Sequence, residues 1–223
     1  LGSYTDVYDL NVKNVFISPN GMDKPIICID GVGCACMSIE NVGISWNSDP
    51  SVKDILFYFD QNCPVEGLIG IRGVYGSNRG KKNKIKNCLI CGVYEGIALT
   101  GEHFIIEDCL SHHCYYGFTI GNYPVIPKME HPNVFIGCSI EQCECFALLN
   151  RYGATSESTS SKTGQTIIYI GGSVESTVTN SDGTTRYMKP IKEVVKGAYR
   201  GRIETDWSST YKSSPNISFN FSI

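Results

Sequence analysis

Apolar and polar residues alternate along most of this chain, and no stretch carries a helical period. Val12-Lys-Asn-Val-Phe-Ile17 and Pro25-Ile-Ile-Cys-Ile-Asp30 are β-branched runs, separated by the turn Ser18-Pro-Asn-Gly21. Ile55-Leu-Phe-Tyr-Phe59 reads as a further apolar strand, and Pro215-Asn-Ile-Ser-Phe-Asn-Phe-Ser-Ile223 as a terminal one. Between Asn87 and Leu149 the alternation becomes a repeat. Asn87–Leu99, Asp108–Ile120 and Gly137–Leu149 align without a gap, starting 21 and then 29 residues apart. A unit of this length cannot bury its own apolar face, so it has to stack on its neighbours.

Stacking the copies produces columns. Ile85, Ile106 and Phe135 align, as do Cys88, Cys109 and Cys138, then Ile97, Phe118 and Ala147, then Leu99, Ile120 and Leu149. Within each strand the columns lie two residues apart, as one inward face requires. Asn, Asp or Gly stands at the intervening turns, where positive φ is tolerated. Tyr169-Ile-Gly-Gly-Ser-Val-Glu175 echoes Phe135–Glu141, 34 residues on. A shorter Gly-apolar phrase at Gly43, Gly67, Gly96 and Gly117, with Phe146 replacing the last Gly, predicts intervals of 24, 29, 21 and 29 residues. Residues 123–132 and 153–164 read as inserted loops, and Asp182-Gly183 as a hairpin turn. This predicts an all-β chain, with stacked coils over 1–176 and a β-rich cap over 177–223.

The net charge of −3, with 18% charged residues, speaks against a nucleic-acid partner. The one basic run, Arg79–Lys86, reads as a solvated turn. No apolar run is long enough for a membrane-spanning helix, so no membrane insertion is expected. The chain begins at Leu1 in strand-like sequence and reads as a piece of a longer polypeptide. Eleven cysteines recur in register, which suggests reduced thiols acting as small apolar core residues and assembly in a reducing compartment. Cys88-x-x-Cys91, Cys34-x-Cys36 and Cys143-x-Cys145 lack a companion pair with matching His spacing, so no metal and no other cofactor is expected.

In-register Cys and aliphatic columns, coils of about 20–30 residues with three short strands each, and Asn or Gly turns resemble the right-handed parallel β-helix of the pectin-lyase-like family, a single-stranded solenoid. That family includes polysaccharide lyases, glycoside hydrolases and the tailspikes and tail fibres of bacteriophages. The polygalacturonase phrases Asn-Thr-Asp, Asp-Asp and Gly-His-Gly do not occur here. The remaining likeness is to a tailspike. It implies a homotrimer in a virion tail, assembled in host cytoplasm, that binds a bacterial surface polysaccharide and, as an enzyme, hydrolyses it. The alternatives are a secreted bacterial polysaccharide lyase or hydrolase, and a non-catalytic structural adhesin.

Register turns these expectations into candidate sites. One corner stacks Thr100, Gly121 and Asn150, then Gly101, Asn122 and Arg151, then Glu102, Tyr123 and Tyr152. Sugar sites combine flat apolar faces with fixed polar groups. Tyr123, Tyr152, Asn122, Asn150 and Arg151 are therefore candidate glycan contacts, and Glu102 a candidate acid; the two tyrosines also fit a plain hydrophobic cover over the turn. On another face His112 falls beside Glu141 and Cys91, a pair for acid–base work or a solvated pair at a strand end. Glu144, stacked with Tyr94 and Tyr115, is a further candidate carboxylate.

Overall fold

A computed structural model describes residues 9–32, 34, 36–46, 58–74, 83–100, 103–121, 132–149, 167–175, 177–193 and 203–205. These residues form an all-β structure without helices. The chain opens with β1 (Leu10–Ile17), β2 (Ile27–Asp30), β3 (Met37–Ser45) and β4 (Ile69–Val74). Each following repeat supplies three strands. They are β5 (Asn83–Lys86), β6 (Leu89–Cys91) and β7 (Glu95–Thr100); then β8 (Phe104–Glu107), β9 (Leu110–His112) and β10 (Tyr116–Gly121); then β11 (Asn133–Ile136), β12 (Ser139–Glu141) and β13 (Cys145–Leu149). Next come β14 (Ile167–Ile170) and β15 (Ser173–Val174), then β16 (Thr177–Thr179), β17 (Thr185–Tyr187), β18 (Lys189–Glu193) and β19 (Ile203–Thr205).

The strands assort into an eleven-stranded and a six-stranded sheet, both parallel, and one antiparallel pair, β16–β17. The long strand β3 pairs with β5 through Ser38–Glu40 and with β6 through Gly43–Ser45. In later repeats this single strand is split at a bend. The bend residue adopts positive φ in every rung: Asn14, Asn41, Asn87, Asp108, Gly137 and Gly171. Asn, Asp and Gly tolerate this conformation best. Two asparagine amides also stack along the column, Asn41 Nδ2 donating to Asn14 Oδ1 (3.0 Å) and Asn87 Nδ2 to Asn41 Oδ1 (3.2 Å).

The core lies between the two sheets. Ile39, Ile85, Ile106, Phe135 and Tyr169 form one buried column of the larger sheet, and Ile71, Ile97, Phe118 and Ala147 face them from the smaller one. Register places these residues as the repeat alignment predicts: Ile85 against Ile106, Ile106 against Phe135, Phe118 against Ala147. The short Gly phrase is corrected at its start. Gly43 lies in the larger sheet opposite Leu89, and Gly67 is a turn residue with φ +90. The true first member is Gly70, because Ile69 pairs with Glu95 and Ile71 with Ile97. A glycine is required in this column because the sheets approach closely there; a Cβ on Gly70 would sit 2.6 Å from Ile90 and 2.7 Å from Gly96 O.

All eleven cysteines are free thiols. Cys88, Cys109 and Cys138, and separately Cys114 and Cys143, are buried in register as expected. Their Sγ atoms point at backbone carbonyls; Cys109 Sγ reaches Glu107 O at 3.3 Å and Cys143 Sγ reaches Ser111 O at 3.4 Å. The neighbouring Cys138 and Cys88 thiols, with burial, push Cys109 up and keep it protonated. Lys84 and Lys86 of the basic run stand on a strand rather than a turn, both paired to Glu107 across β5–β8 (2.9 and 3.3 Å).

Asn83 and Asn133 open β5 and β11 as buried residues. Asn133 Oδ1 accepts from the Phe104 N–H (3.1 Å) and Asn83 Oδ1 from the Met37 N–H (2.9 Å), satisfying donors of the preceding rung. Asn133→Ala leaves a buried N–H unpaired. It is expected to cost about 1–3 kcal/mol, read from the midpoint of a urea unfolding curve.

Beyond residue 176 the parallel pairing continues. Asp182-Gly183 does close a hairpin, β16–β17, after which β18 pairs with β13 and β19 with β14 in the two main sheets. The terminal strand read at 215–223 lies outside the described residues, as do residues 55–57 of the strand read at 55–59; residues 58 and 59 fall in a coil and a turn.

Candidate functional site

In the central repeats, variation in connection length is concentrated at one corner. The bends 87–88, 108–109 and 137–138 are two residues long, and the crossings 92–94, 113–115 and 142–144 are three. In these three repeats the connections leaving the six-stranded sheet are 101–103, 122–132 and 150–166, so they differ widely in length. They begin in register, since Gly121 pairs with Thr100 and Ile120 with Leu149. The candidates Glu102, Asn122, Tyr123, Asn150, Arg151 and Tyr152 all belong to these connections and lie outside the described residues.

A different corner is covered by the chain itself. It carries the column Tyr94, Tyr115 and Glu144. The two tyrosine rings stack at 4.8 Å, and Phe59 packs edge-on against Tyr115 at 6.3 Å. Glu144 is nearly buried and is held by Arg186 and by Lys189 (2.7 Å), which flank the end of the hairpin. Glu144 in turn raises the Lys189 pKa through this contact. Ser181 of the hairpin donates through its N–H to Asp60 Oδ1 (3.1 Å), so segments from the first and last repeats meet across the intervening rungs. The arrangement anchors the hairpin and leaves Glu144 engaged with two cations. Glu95, in the neighbouring column, is fully buried and accepts from the Thr119 hydroxyl at 2.6 Å.

On the outer face of the larger sheet, register assembles a third group. Ser45 pairs with Cys91, Cys91 with His112, and His112 with Glu141. The alternating neighbours Ile90, Ser111 and Ile140 are buried, which turns this column outward and leaves it half-buried, as the sequence predicts. Glu175 continues the column, its N–H donating to Ile140 O (2.9 Å). The strands end in a second positive-φ column, Gly92, His113 and Gln142. At His113 (φ 53) this bend interrupts strand alternation and brings its ring beside that of His112, with centroids 4.1 Å apart. The two Nδ1 atoms lie 3.2 Å apart, and Cys91 Sγ lies 3.9 Å from His112 Nδ1. Comparison with protein-family models, curated proteins and solved structures returned no match.

Burial holds both imidazoles neutral. It lowers His113 to about 4, helped by its neighbour His112. It lowers His112 too, against the opposite pull of Glu141 and Glu175. Burial also pushes the Cys91 thiol up to about 12, so it is not a thiolate nucleophile in this state. Of the predicted site residues, the described structure therefore brings His112 and Glu141 together with Cys91, and sets Glu144 in the separate hairpin anchor. Sequence reasoning aligned His113 with Gln142 and Glu175 with Glu141 but ranked neither as a site residue. Glu175 follows from register, whereas His113 joins the group through its positive φ.

Proposed function

We propose that this chain is a right-handed parallel β-helical domain of the phage tailspike or tail-fibre type, which binds a bacterial surface polysaccharide as a homotrimer. One observation carries the reading: within the three central repeats the connections at one corner differ in length while those at the other two stay constant. Inserted loops at one corner of a stacked scaffold are how such scaffolds build a binding face. That corner holds the candidate contacts Tyr123, Tyr152, Asn122, Asn150 and Arg151, with Glu102 beside them. Unpaired core thiols agree with assembly in host cytoplasm.

A screen of purified bacterial surface polysaccharides tests this. Saturable binding to at least one of them, weakened about tenfold by Tyr123→Ala or Tyr152→Ala, is the expected result. Binding indifferent to both substitutions, or a strictly monomeric native mass, would sink the reading. A hydrolytic version is favoured by one feature: Glu141 and Glu175 occupy neighbouring rungs, about 4.8 Å apart along the column, beside His112. New reducing ends that vanish in Glu141→Gln would establish it; bound but intact polymer would leave a non-catalytic adhesin.

A further inference from the structure

The cluster on the outer face of the larger sheet has a composition that neither strand packing nor glycan binding calls for. Cys91 comes from the end of β6, His112 from the end of β9, and His113 from the bend that follows. One ligand-competent atom from each of the three residues lies within 4.8 Å of the other two. We propose that Cys91, His112 and His113 bind a zinc-class transition-metal ion.

The donor atoms stand near the spacing that such an ion sets. Metal–sulfur bonds of about 2.3 Å and metal–nitrogen bonds of about 2.0–2.1 Å, arranged tetrahedrally, set ligand atoms roughly 3.3–3.6 Å apart. Two of the separations are 3.2 Å between the two Nδ1 atoms and 3.9 Å between Cys91 Sγ and His112 Nδ1, and all three donor atoms lie within 4.8 Å of one another. Closing the set around an ion requires the side chains to rotate inward. A thiolate with two imidazoles is a donor set suited to zinc rather than to magnesium or calcium. Three protein ligands leave a fourth position open to water or a substrate atom. Glu141 and Glu175, next in the column, supply the remaining negative charge that a dication on one thiolate and two neutral imidazoles calls for.

The backbone explains why both histidines can take part. Consecutive residues of a strand point to opposite faces. His113 escapes this by adopting φ 53, in a column where its neighbours are Gly92 and Gln142. The other Cys pairs lack this arrangement. Cys88 is three residues before Cys91, an odd spacing, and is buried in the core while Cys91 lies on the outer face. Cys143 and Cys145 are both buried, at the approach to the smaller sheet.

The test uses the full chain without an affinity tag, reduced and stripped with a chelator, then titrated with Co(II) and Zn(II). One Co(II) per chain is expected, with tetrahedral visible bands and a thiolate-to-cobalt charge-transfer band in the near ultraviolet. Cys91→Ser should abolish the charge-transfer band. His112→Ala and His113→Asn should each weaken binding by about tenfold or more. Asn tolerates positive φ, so His113→Asn keeps the bend and separates ligand loss from misfolding. Cys63→Ser, an exposed cysteine outside the cluster, should change nothing. Zn(II) should raise the melting temperature of the parent chain but not of the three cluster variants. Sub-stoichiometric uptake, or binding that survives all three substitutions in folded protein, would overturn the proposal.

Discussion

Gly96→Val is expected to cost 3 kcal/mol or more, about the upper end of what overpacking a core imposes, and to leave little cooperative unfolding transition at 37 °C. A Cβ at Gly96 would lie 2.5 Å from Gly117 O and 2.7 Å from Ser111 Oγ. The first of these is backbone, fixed by the pairing of β7 with β10, and cannot withdraw as a flexible side chain could. The hydroxyl is itself committed, donating to Gly117 O at 2.9 Å. Relief would require β7 and β10 to separate within their own sheet, and the same carbonyl crowding from the next strand meets Gly70 and Gly117. Gly183 provides the contrast: it has a positive φ, unlike the strand residue Gly96, but an added Cβ meets nothing within 4 Å. Gly183→Asn should therefore change stability by less than about 1 kcal/mol. Guanidinium unfolding of both variants checks the pair of expectations.

Phe118→Ala should be the most damaging truncation, at about 3–5 kcal/mol, with the unfolding midpoint lowered and the denaturant slope unchanged. The Phe118 ring packs on Phe135 at 4.6 Å and edge-on against Phe146 at 4.9 Å, and those two rings meet Tyr169 at 5.7 Å each. The four aromatics pack together between the two sheets as part of the buried core. Tyr169 is pinned by its hydroxyl, which donates to Cys138 O at 2.5 Å. A small void lined by Ile97, Ser111, Gly117, Phe135 and Ile140 already borders Phe118. Removing the ring joins the new cavity to this one, and a pinned neighbour cannot collapse into it. Phe118→Leu retains most of the volume and should cost about 1.5 kcal/mol or less.

Much of this architecture can be read from the residues because the copies between Asn87 and Leu149 are gapless. A period-two pattern gives the inward face, and in-register repetition gives the strand partner, so Ile85, Ile106, Phe135 and Tyr169 are placed correctly. The bends are legible for a separate reason: Asn87, Asp108 and Gly137 are among the few residue types at ease with positive φ. The first repeat is not legible. Its Gly-apolar phrases fit both sheets equally well, and period-two alternation says nothing about which sheet a strand joins. The inward asparagines Asn83 and Asn133 carry no sequence signal of their burial, which rests on the backbone donors they meet. The meeting of Asp60 and Ser181 joins residues with no shared pattern. Of the candidate sites, the column through Cys91, His112 and Glu141 follows from register. The partnership of His113 does not, because it depends on one left-handed residue that alternation would send to the opposite face.

The uneven connections also bear on how freely this chain can be remodelled. Successive core residues are separated by 21 positions from Ile85 to Ile106 and by 34 from Phe135 to Tyr169. The entropy of closing a loop grows only logarithmically with its length. Lengthening a rung from 21 to 34 residues therefore opposes folding by only about 0.4 kcal/mol. One stacked pair of isoleucines offsets that several times over. The corner where the connections lengthen is thus a place where insertions of a dozen residues are nearly neutral for folding. The residues carried on that corner can change in number and kind while the columns beneath stay fixed.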